Sequence, residues 1–520
     1  MTGRQQRGTL IFLLLTLAVR LYWAYAAPLA NDEAYYWDWS RALQLSFIDH
    51  PPAVAWVAAL GDAIMGSQTA LGPRFLLPFL HLAATLVLLA CAGVLKGDRL
   101  TRAQVWTLLV FTEVVPAFSL EGVLLLPDSG LLLALALSLY TFLRAASSEH
   151  GRAWRWVLPA GLAVGAAGLC KYHAAPIACG LGIGLLIYGS RRQRLGEFVG
   201  FLIVTALLAL LVTSPVLIWN ASHDWASFRF QSAHGFAELS FTPLAAARVY
   251  LGQLLILSPL VVIGTIQGIW RQRDLSLTLL PVAAAAPLFA LLEILAFGKQ
   301  MLPHWLAPAC WMVLPLLALT SWPRWAFRAN FVLAVIIAWG LPWVLTLKPL
   351  REALVNSFDG KPGPLSELTL WQPLSESLMQ DARVASYLKA DGKAVEQGNC
   401  PQTITVASLR WFWSAQLAFH LPGQPRVVSL DQNHRSYYNY RDYLPDYANC
   451  PVLGIADARH LDADQLHKVL GDWQQWSVLV PSHRDTDVIA LYGRFRSLAE
   501  LEQAASAMHS YGGGAHPAAY

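Results

Sequence analysis

The chain has 520 residues, of which 56% are hydrophobic and 13% are charged, and its mean hydropathy is +0.43. Soluble domains carry about 25% charged residues, so this composition excludes a water-soluble globular protein. The formal net charge of +4 also excludes a typical nucleic-acid-binding protein, because those proteins concentrate basic residues in a patch or stripe.

The apolar segments predict a polytopic α-helical membrane protein with about eleven transmembrane helices. A bilayer core about 30 Å thick needs roughly 20 apolar residues per helix. Segments that meet or approach this length lie at 9–28, 73–95, 103–120, 129–145, 156–170, 173–190, 198–219, 245–270, 277–297, 305–321 and 329–347.

Basic residues in the short loops predict the orientation of these helices, because Lys and Arg favour cytoplasmic loops. They collect on one side of the predicted helices, for example at 96–102, 191–194 and 324–328. The N-terminus is therefore predicted to be cytoplasmic. The loops 28–72 and 220–244, and the whole chain after residue 348, are predicted on the opposite side.

The composition predicts two domains and a tail. Residues 1–347 form the transmembrane domain, and short β-rich runs alternating with helical stretches predict a soluble α/β domain over 348–510. The glycine-rich tail 511–520 is predicted to be disordered. Cys400 and Cys450 each precede a proline and a predicted strand, and either a disulfide between them or two free thiols fits this pattern.

The first outer loop contains the adjacent carboxylates Asp32 and Glu33, close to the end of the first predicted helix. Side chains of adjacent residues diverge on a regular element, so the two cannot flank one bond as a pair of glycosidase carboxylates does. One of them is expected to act as a base or metal ligand and the other to be structural. The alternative is a helix N-cap at Asn31 or Asp32.

Other ionisable residues of the outer loops lie on the same predicted face. Asp128 stands at a helix entry, where an N-cap is the alternative, and Lys171 lies in a turn, where it binds a phosphate or snorkels to the interface. The remaining candidates are His50, Arg229, Lys299 and His304. Such a set suits displacement at a sugar carbon. A carboxylate takes the proton of the acceptor hydroxyl, and cations or a metal neutralise the departing lipid-linked phosphate.

Four ionisable residues lie inside or near apolar segments, namely Arg20, Glu113, Glu121 and Glu293. An intramembrane ionisable residue is a functional candidate by default, and a buried ion pair is the competing explanation.

Several motifs occur together in one order along the chain. They are Asp32-Glu33-Ala34-Tyr35-Tyr36-Trp37, Asp49-His50-Pro51-Pro52, Pro127-Asp128-Ser129, Lys171-Tyr172, the run 214–220 followed by His223-Asp224-Trp225, Pro303-His304-Trp305 and the weaker 418–425. With this set the chain resembles the GT-C glycosyltransferases, in particular the bacterial branch of the protein O-mannosyltransferase family. That branch includes aminoarabinose and galacturonic acid transferases of lipid A.

The resemblance implies an inverting transfer of one sugar from a polyprenyl (undecaprenyl) phosphate-sugar to a periplasmic acceptor. That acceptor is lipid A, another cell-envelope glycan or a protein, and the protein lies in the bacterial inner membrane. Asp32 is then the catalytic carboxylate or a metal ligand, Asp128 is a second acidic site residue, and Lys171 holds the donor phosphate. The full predicted site comprises Asp32, Glu33 and Asp128 as catalytic residues and Lys171, His50, Arg229, Lys299 and His304 as phosphate ligands. A divalent metal (Mg²⁺, Mn²⁺ or Zn²⁺) on Asp32 and Asp128 stays open.

Two other functions stay open from the sequence. A flippase or transporter of polyprenyl-linked lipids would place its ionisable residues near the membrane midplane. Here they gather at one face, which favours the enzyme. A binding or assembly protein would tolerate the loss of Asp32, whereas the enzyme would not.

Overall fold

A computed structural model gives the fold of the chain. It describes residues 3–236, 243–271, 276–297, 301–320, 322–347, 349–350, 353, 364–388, 400, 405–431, 436–481, 483 and 486–510.

The chain divides into two compact units. The membrane unit comprises Met1–Ala27, Gln44–Asn220 and Gln231–Thr346, and the α/β unit comprises Pro28–Leu43, Ala221–Phe230 and Leu347–Tyr520. Two segments that the sequence places in the loops of the transmembrane domain therefore belong to the α/β unit. The predicted tail 511–520 lies outside the described residues.

Helices make up the membrane unit. They are Gly3–Ala26, Ala53–Met65, Leu71–Arg74, Leu77–Lys96, Arg102–Val114, Pro116–Glu121, Pro127–Ala146, Val157–Cys170, Ala174–Arg191, Leu195–Ser222, Pro243–Ile256, Pro259–Arg271, Leu279–Leu295, Ala307–Leu319, Arg324–Val335 and Leu341–Thr346. Short 3₁₀ turns lie at Ala153–Trp156 and Pro303–Leu306, and a π-helical turn lies at Ile336–Gly340. The helix Ala226–Phe236 crosses the boundary between the units.

Seven helices in the described part of the chain are long and apolar enough to cross a bilayer, and a bent pair raises the number to eight. The members of that pair, Pro243–Ile256 and Pro259–Gln267, meet at 107°. Ser258 has a left-handed backbone (φ +72°) at this bend, and Pro259 cannot continue the preceding helix. Three further apolar helices are shorter: Ala53–Met65, Leu279–Leu295 and Pro303–Leu319. The prediction of a polytopic helical membrane protein is confirmed.

The predicted helix 103–120 is broken in the structure. Arg102–Val114 begins with a capping box, in which Gln104 N–H donates to the Thr101 hydroxyl and Thr101 N–H donates to the Gln104 side chain. Val115 is extended because it precedes Pro116, and a second helix then runs from Pro116 to Glu121.

A mixed five-stranded sheet forms the centre of the described α/β unit. Its strands are β1 (Thr405–Ser408), β2 (Val427–Ser429), β3 (Pro451–Asp457), β4 (Leu470–Val478) and β5 (Val488–Phe495), in the order β2-β1-β3-β5-β4. β1 is parallel to β2 and β3, whereas β5 is antiparallel to β3 and β4. Helices of this unit are Asn31–Ser40, Pro364–Gln380, Ala382–Leu388, Trp411–His420, Tyr438–Arg441, Ala463–Val469 and Leu498–Ser510, with 3₁₀ turns at Leu444–Tyr447 and Ala458–His460.

The structure decides two points that the sequence left open or misplaced in this unit. Cys400 and Cys450 form a disulfide. The sequence predicts a helical stretch near 463–475 and a strand at 477–480, but the helix ends at Val469. The strand is Leu470–Val478, which pairs with β5 apart from an irregularity between Leu470 and Trp473. The prediction of a C-terminal α/β region is confirmed.

Candidate functional site

Asp32 lies in the first turn of the helix Asn31–Ser40 in the α/β unit. The helix is not capped by Asn31 or Asp32, because its N-cap position is Ala30. The buried carboxylate of Glu33 accepts the Ala30 N–H at 2.9 Å, as the acidic member of a capping box does. Glu33 therefore stabilises the helix start, while the Asp32 side chain is exposed.

The Asp32 carboxyl reaches solvent, but protein atoms surround it on most sides. This desolvation raises the pKa of Asp32, and the negative charge of Glu33 raises it further. A carboxyl group with a raised pKa takes up a proton more readily than an ordinary aspartate does. This property suits a group that accepts a proton, as a general base does.

Asp128 and Lys171 form a buried ion pair in the membrane unit. Lys171 Nζ donates to Asp128 Oδ2 at 2.6 Å, and the two side chains are 7% and 3% exposed. Asp128 lies in the first turn of Pro127–Ala146, and Lys171 directly follows Val157–Cys170. The N-cap alternative for Asp128 does not hold, because the N-cap position is Leu126. Snorkelling of Lys171 does not hold either, because its ammonium group is buried.

Three histidines surround this ion pair. Desolvation lowers the pKa of His50 and His173 to about 3 and that of His304 to about 4, and the positive charge of Lys171 is the second cause in each case. Each imidazole is therefore neutral at pH 7 and can donate one N–H to an anion. His50, Asp128, Lys171 and His304 were predicted as site residues, and the structure brings them together. His173, whose ring lies 6.2 Å from that of Trp305, was not predicted.

The ion pair leaves hydrogen-bonding capacity unused within the described residues. Asp128 Oδ1 and His173 Nδ1 are buried there without a hydrogen-bond partner. Buried polar atoms are normally satisfied, so such atoms mark a place where a polar ligand fits. Glu121 also borders this cluster. Burial and the charge of Asp128 raise its pKa well above the ordinary value, and Ser129 Oγ donates to it at 3.4 Å.

The predicted site residues do not all lie in one unit. Asp32, Glu33 and Arg229 belong to the α/β unit, whereas the Asp128–Lys171 cluster belongs to the membrane unit. Arg229 is exposed in the helix Ala226–Phe236. Lys299 lies outside the described residues.

The described residues do not provide a metal site. They contain no group of three or more His, Cys, Asp or Glu side chains placed to hold an ion. One predicted ligand, Asp128, is already neutralised by Lys171. We therefore derive no step through a metal.

A second buried ion pair joins four helices of the membrane unit. The Arg20 guanidinium binds the Glu113 carboxylate, which also accepts from Thr85 Oγ1 at 2.9 Å and lies 3.3 Å from His81 Nε2. Arg20 Nε donates to Ser119 O at 3.4 Å. The sequence offered an ion pair as the alternative to function for Arg20 and Glu113, and the structure agrees with it. Glu293 accepts from Gln253 Nε2 at 3.1 Å.

Comparison with known proteins finds a similar family, a similar protein and similar solved structures. Residues 49–219 match the family described as dolichyl-phosphate-mannose-protein mannosyltransferase. Lipid A galacturonosyltransferase RgtD of Rhizobium johnstonii is 25% identical over 460 residues, which cover 85% of this chain and 89% of that protein. The crystal structure of ArnT from Cupriavidus metallidurans bound to undecaprenyl phosphate superposes with a TM-score of 0.62 at 14% identity. It covers 93% of this chain and 98% of ArnT.

The apo structure of the same ArnT gives a TM-score of 0.57. The ArnT matches establish the fold over nearly the whole chain. Together with the family match and the similarity to RgtD, they confirm the resemblance to the GT-C glycosyltransferases that the loop motifs predicted.

Proposed function

We propose that this chain, a GT-C type membrane protein by resemblance and fold, is an inverting glycosyltransferase that uses a polyprenyl-phosphate sugar as donor. The observation that carries the proposal is the buried Lys171 ammonium group, with three neutral imidazoles around it and an unpartnered carboxylate oxygen beside it. A lipid-linked phosphate is an anion that lies at the membrane, and this cluster supplies a cation and hydrogen-bond donors for it.

The acceptor that we place first is lipid A. Similarity to a lipid A galacturonosyltransferase over 85% of the chain supports this choice, and the undecaprenyl phosphate bound to ArnT supports undecaprenyl as the donor lipid. Other cell-envelope glycans and proteins are the remaining acceptors. We place the reaction at the periplasmic face of the inner membrane, because the short basic loops favour the cytoplasm.

The role proposed for Lys171 is to stabilise the negative charge that the donor phosphate gains during the reaction. Cleavage of the sugar–phosphate bond turns a phosphodiester with one negative charge into a phosphate monoester that carries up to two. In a desolvated site an ammonium group stabilises this additional charge far more than it would in water. Asp128 holds the ammonium in place, and the N–H groups of His50, His173 and His304 complete the phosphate site. Arg229 and Lys299 remain additional phosphate ligands in the proposal.

Asp32 is the proposed base. It takes the proton of the acceptor hydroxyl while the oxygen attacks the anomeric carbon, and the bond to the donor phosphate breaks on the opposite face, which inverts the centre. The raised pKa of Asp32 supports this role, since a base works best when its pKa lies near the operating pH. Glu33 supports the helix that carries it.

The proposal is tested with purified protein in nanodiscs, radiolabelled undecaprenyl-phosphate sugars and lipid A. We expect wild-type protein to transfer label, and Lys171→Met to lower kcat by about 100- to 1,000-fold, the range seen when one transition-state donor is removed. Lys171→Arg should retain part of the activity. The matched control is Lys96→Met, because Lys96 bonds only the Arg99 carbonyl in an exposed turn of the described structure.

Three outcomes would contradict the proposal. Full activity of Lys171→Met removes the phosphate role, and full activity of Asp32→Asn removes the base. If labelled lipid crosses the bilayer of proteoliposomes while no sugar moves, the protein is a transporter. Parallel reactions with EDTA report directly on a metal requirement.

A further inference from the structure

The N-terminal end of the Asp32 helix is held by a buried amide of the same unit. Gln416 Nε2 donates to Leu29 O and to Asn31 Oδ1, both at 3.0 Å. Gln416 is fully buried in the helix Trp411–His420. Loss of this amide would leave a buried acceptor and a partly buried acceptor without their donor, which is costly in a protein interior.

The C-terminal end of the same helix is held by a buried charge. Arg441 Nη1 donates to Asp38 Oδ2 at 2.6 Å, and the two side chains are 8% and 1% exposed. The other end of the guanidinium donates to Val427 O at 2.6 Å and to Asp442 Oδ2 at 2.7 Å. Its carbon lies 4.6 Å from the ring centre of Tyr438. Few alternative positions are open to a guanidinium bound on so many sides.

Between these two ends the helix packs on the same two segments. Tyr437 N–H donates to the Tyr35 hydroxyl at 2.5 Å, and Trp37 packs edge-to-face on Phe419 with ring centres 4.9 Å apart. Asp32 is the exposed residue of this helix, whereas every residue from 33 to 39 is buried. The helix is therefore held on all sides beyond its first turn, and Asp32 is exposed in that first turn.

We infer that Gln416 and Arg441 are positioning residues for the proposed base. The inference rests on the proposed function, since it takes Asp32 as the base. Reaction rates are sensitive to placement, and a displacement of about 1 Å costs about 100-fold. Donor binding uses the membrane unit and should change little.

The experiment compares Gln416→Leu and Arg441→Met with the exposed controls Gln372→Leu and Arg494→Met in the full-length protein. We expect the first two to lower kcat about 10- to 100-fold with donor KM changed less than about threefold, and the controls to match wild type. Arg441→Lys should recover part of kcat. Hydrogen exchange should increase in peptides covering 31–40 and stay unchanged in the membrane helices.

A double-mutant cycle identifies the route of the effect. If Gln416 acts through Asp32, Gln416→Leu should cause little further loss in an Asp32→Asn background, whereas independent effects multiply. Equal loss in both backgrounds, a change confined to KM, or unaltered exchange over 31–40 overturns the inference. If Asp32→Asn is too slow to measure, the kcat-to-KM comparison and the exchange data decide.

The two proposals fail in different ways. Full activity of Asp32→Asn refutes the base and, with it, the positioning role. Loss of activity in Asp32→Asn together with wild-type kcat in Gln416→Leu and Arg441→Met refutes the positioning role alone.

Discussion

Asp32 and Asp128 look alike in the sequence, since each lies at an outer helix entry, but their surroundings are opposite. Asp128 is buried and neutralised by Lys171 at 2.6 Å, whereas Asp32 is exposed and lies next to the negative Glu33. The first arrangement stabilises a carboxylate and holds a cation, while the second favours proton uptake. Their surroundings therefore agree with the different roles that are proposed for the two residues.

A prediction at this scale concerns the pH dependence of sugar transfer. The base must be deprotonated, so kcat/KM should fall as the pH drops through the raised pKa of Asp32. Glu33→Gln removes one cause of the raised pKa and keeps an oxygen that can accept the Ala30 N–H. The acidic limb of the profile should then move to lower pH.

The matched control for this prediction is Glu376→Gln, because Glu376 is exposed in the helix Pro364–Gln380. Its profile should coincide with that of wild type. If the acidic limb of the Glu33→Gln profile does not move, a group other than Asp32 determines the pH at which kcat/KM falls.

Side-chain contacts between residues far apart in the chain could not be predicted from the sequence. Lys171 and Asp128 were each predicted, but their pairing depends on how two helix ends meet. Gln416 and Arg441 gave no local signal at all, because their partners lie 385 and 403 residues away. Sequence patterns reveal neighbours along one helix or strand, whereas these contacts join residues of different elements.

At the scale of elements, the Arg20–Glu113 pair acts as a polar link between Gly3–Ala26, Arg102–Val114 and, through Thr85, Leu77–Lys96. A buried pair contributes little net stability compared with apolar residues, but removing one partner leaves an uncompensated charge. The link therefore constrains which helices can pack together.

We predict that Arg20→Met lowers the free energy of unfolding by about 3–5 kcal/mol and that Arg20→Met/Glu113→Gln recovers part of the loss. Unfolding in detergent, followed by tryptophan fluorescence, measures both. Arg152→Met is the control, since the Arg152–Glu149 pair is exposed and should change stability by less than about 1 kcal/mol. Equal losses in the single and double variants would contradict the prediction.

The disulfide Cys400–Cys450 gives a second prediction for an element. It closes a loop with a sequence separation of 50 residues, which corresponds to about 4 kcal/mol of loop entropy in the unfolded state. Cys400→Ser/Cys450→Ser should therefore destabilise the α/β unit, and reductant should lower the melting temperature of wild type but not of the variant. If reductant lowers the melting temperature of both proteins equally, it does not act through this disulfide.

The order of elements was predicted better than their ends. The sequence predicts a helical stretch near 411–420, and the structure has a helix at these limits. The broken segment 103–120 and the helix that ends at Val469 were misplaced. Pro116 and pairing with β5 override local apolar character at these two positions.

For the whole molecule, the sequence predicted the architecture, while the division into units needed the structure. Hydropathy located the spans and composition located the α/β region, since both signals are local sums over many residues. The assignment of Pro28–Leu43 to the α/β unit reflects packing that such sums do not contain.

The predicted orientation of the molecule is testable by cysteine labelling. Glu149 and Gln372 are both exposed, one beside a short basic loop and the other in the α/β unit. In a Cys179→Ser background we expect a membrane-impermeant maleimide added from the periplasm to label Gln372→Cys but not Glu149→Cys. If the maleimide labels Gln372→Cys only after lysis, as it does Glu149→Cys, the α/β unit lies on the cytoplasmic side and the predicted orientation is wrong.

The contact between Asp38 and Arg441 also has a consequence for biosynthesis. Its two residues are 403 positions apart, so the ribosome needs roughly 20–80 s to reach the second after the first, at about 5–20 residues per second. During that interval the membrane helices can already insert, but the Asp32 helix lacks its anchor. The nascent chain therefore completes the packing of this helix only after residue 441 has been synthesised, and a product truncated before that point keeps the preceding spans without the anchor of the proposed base.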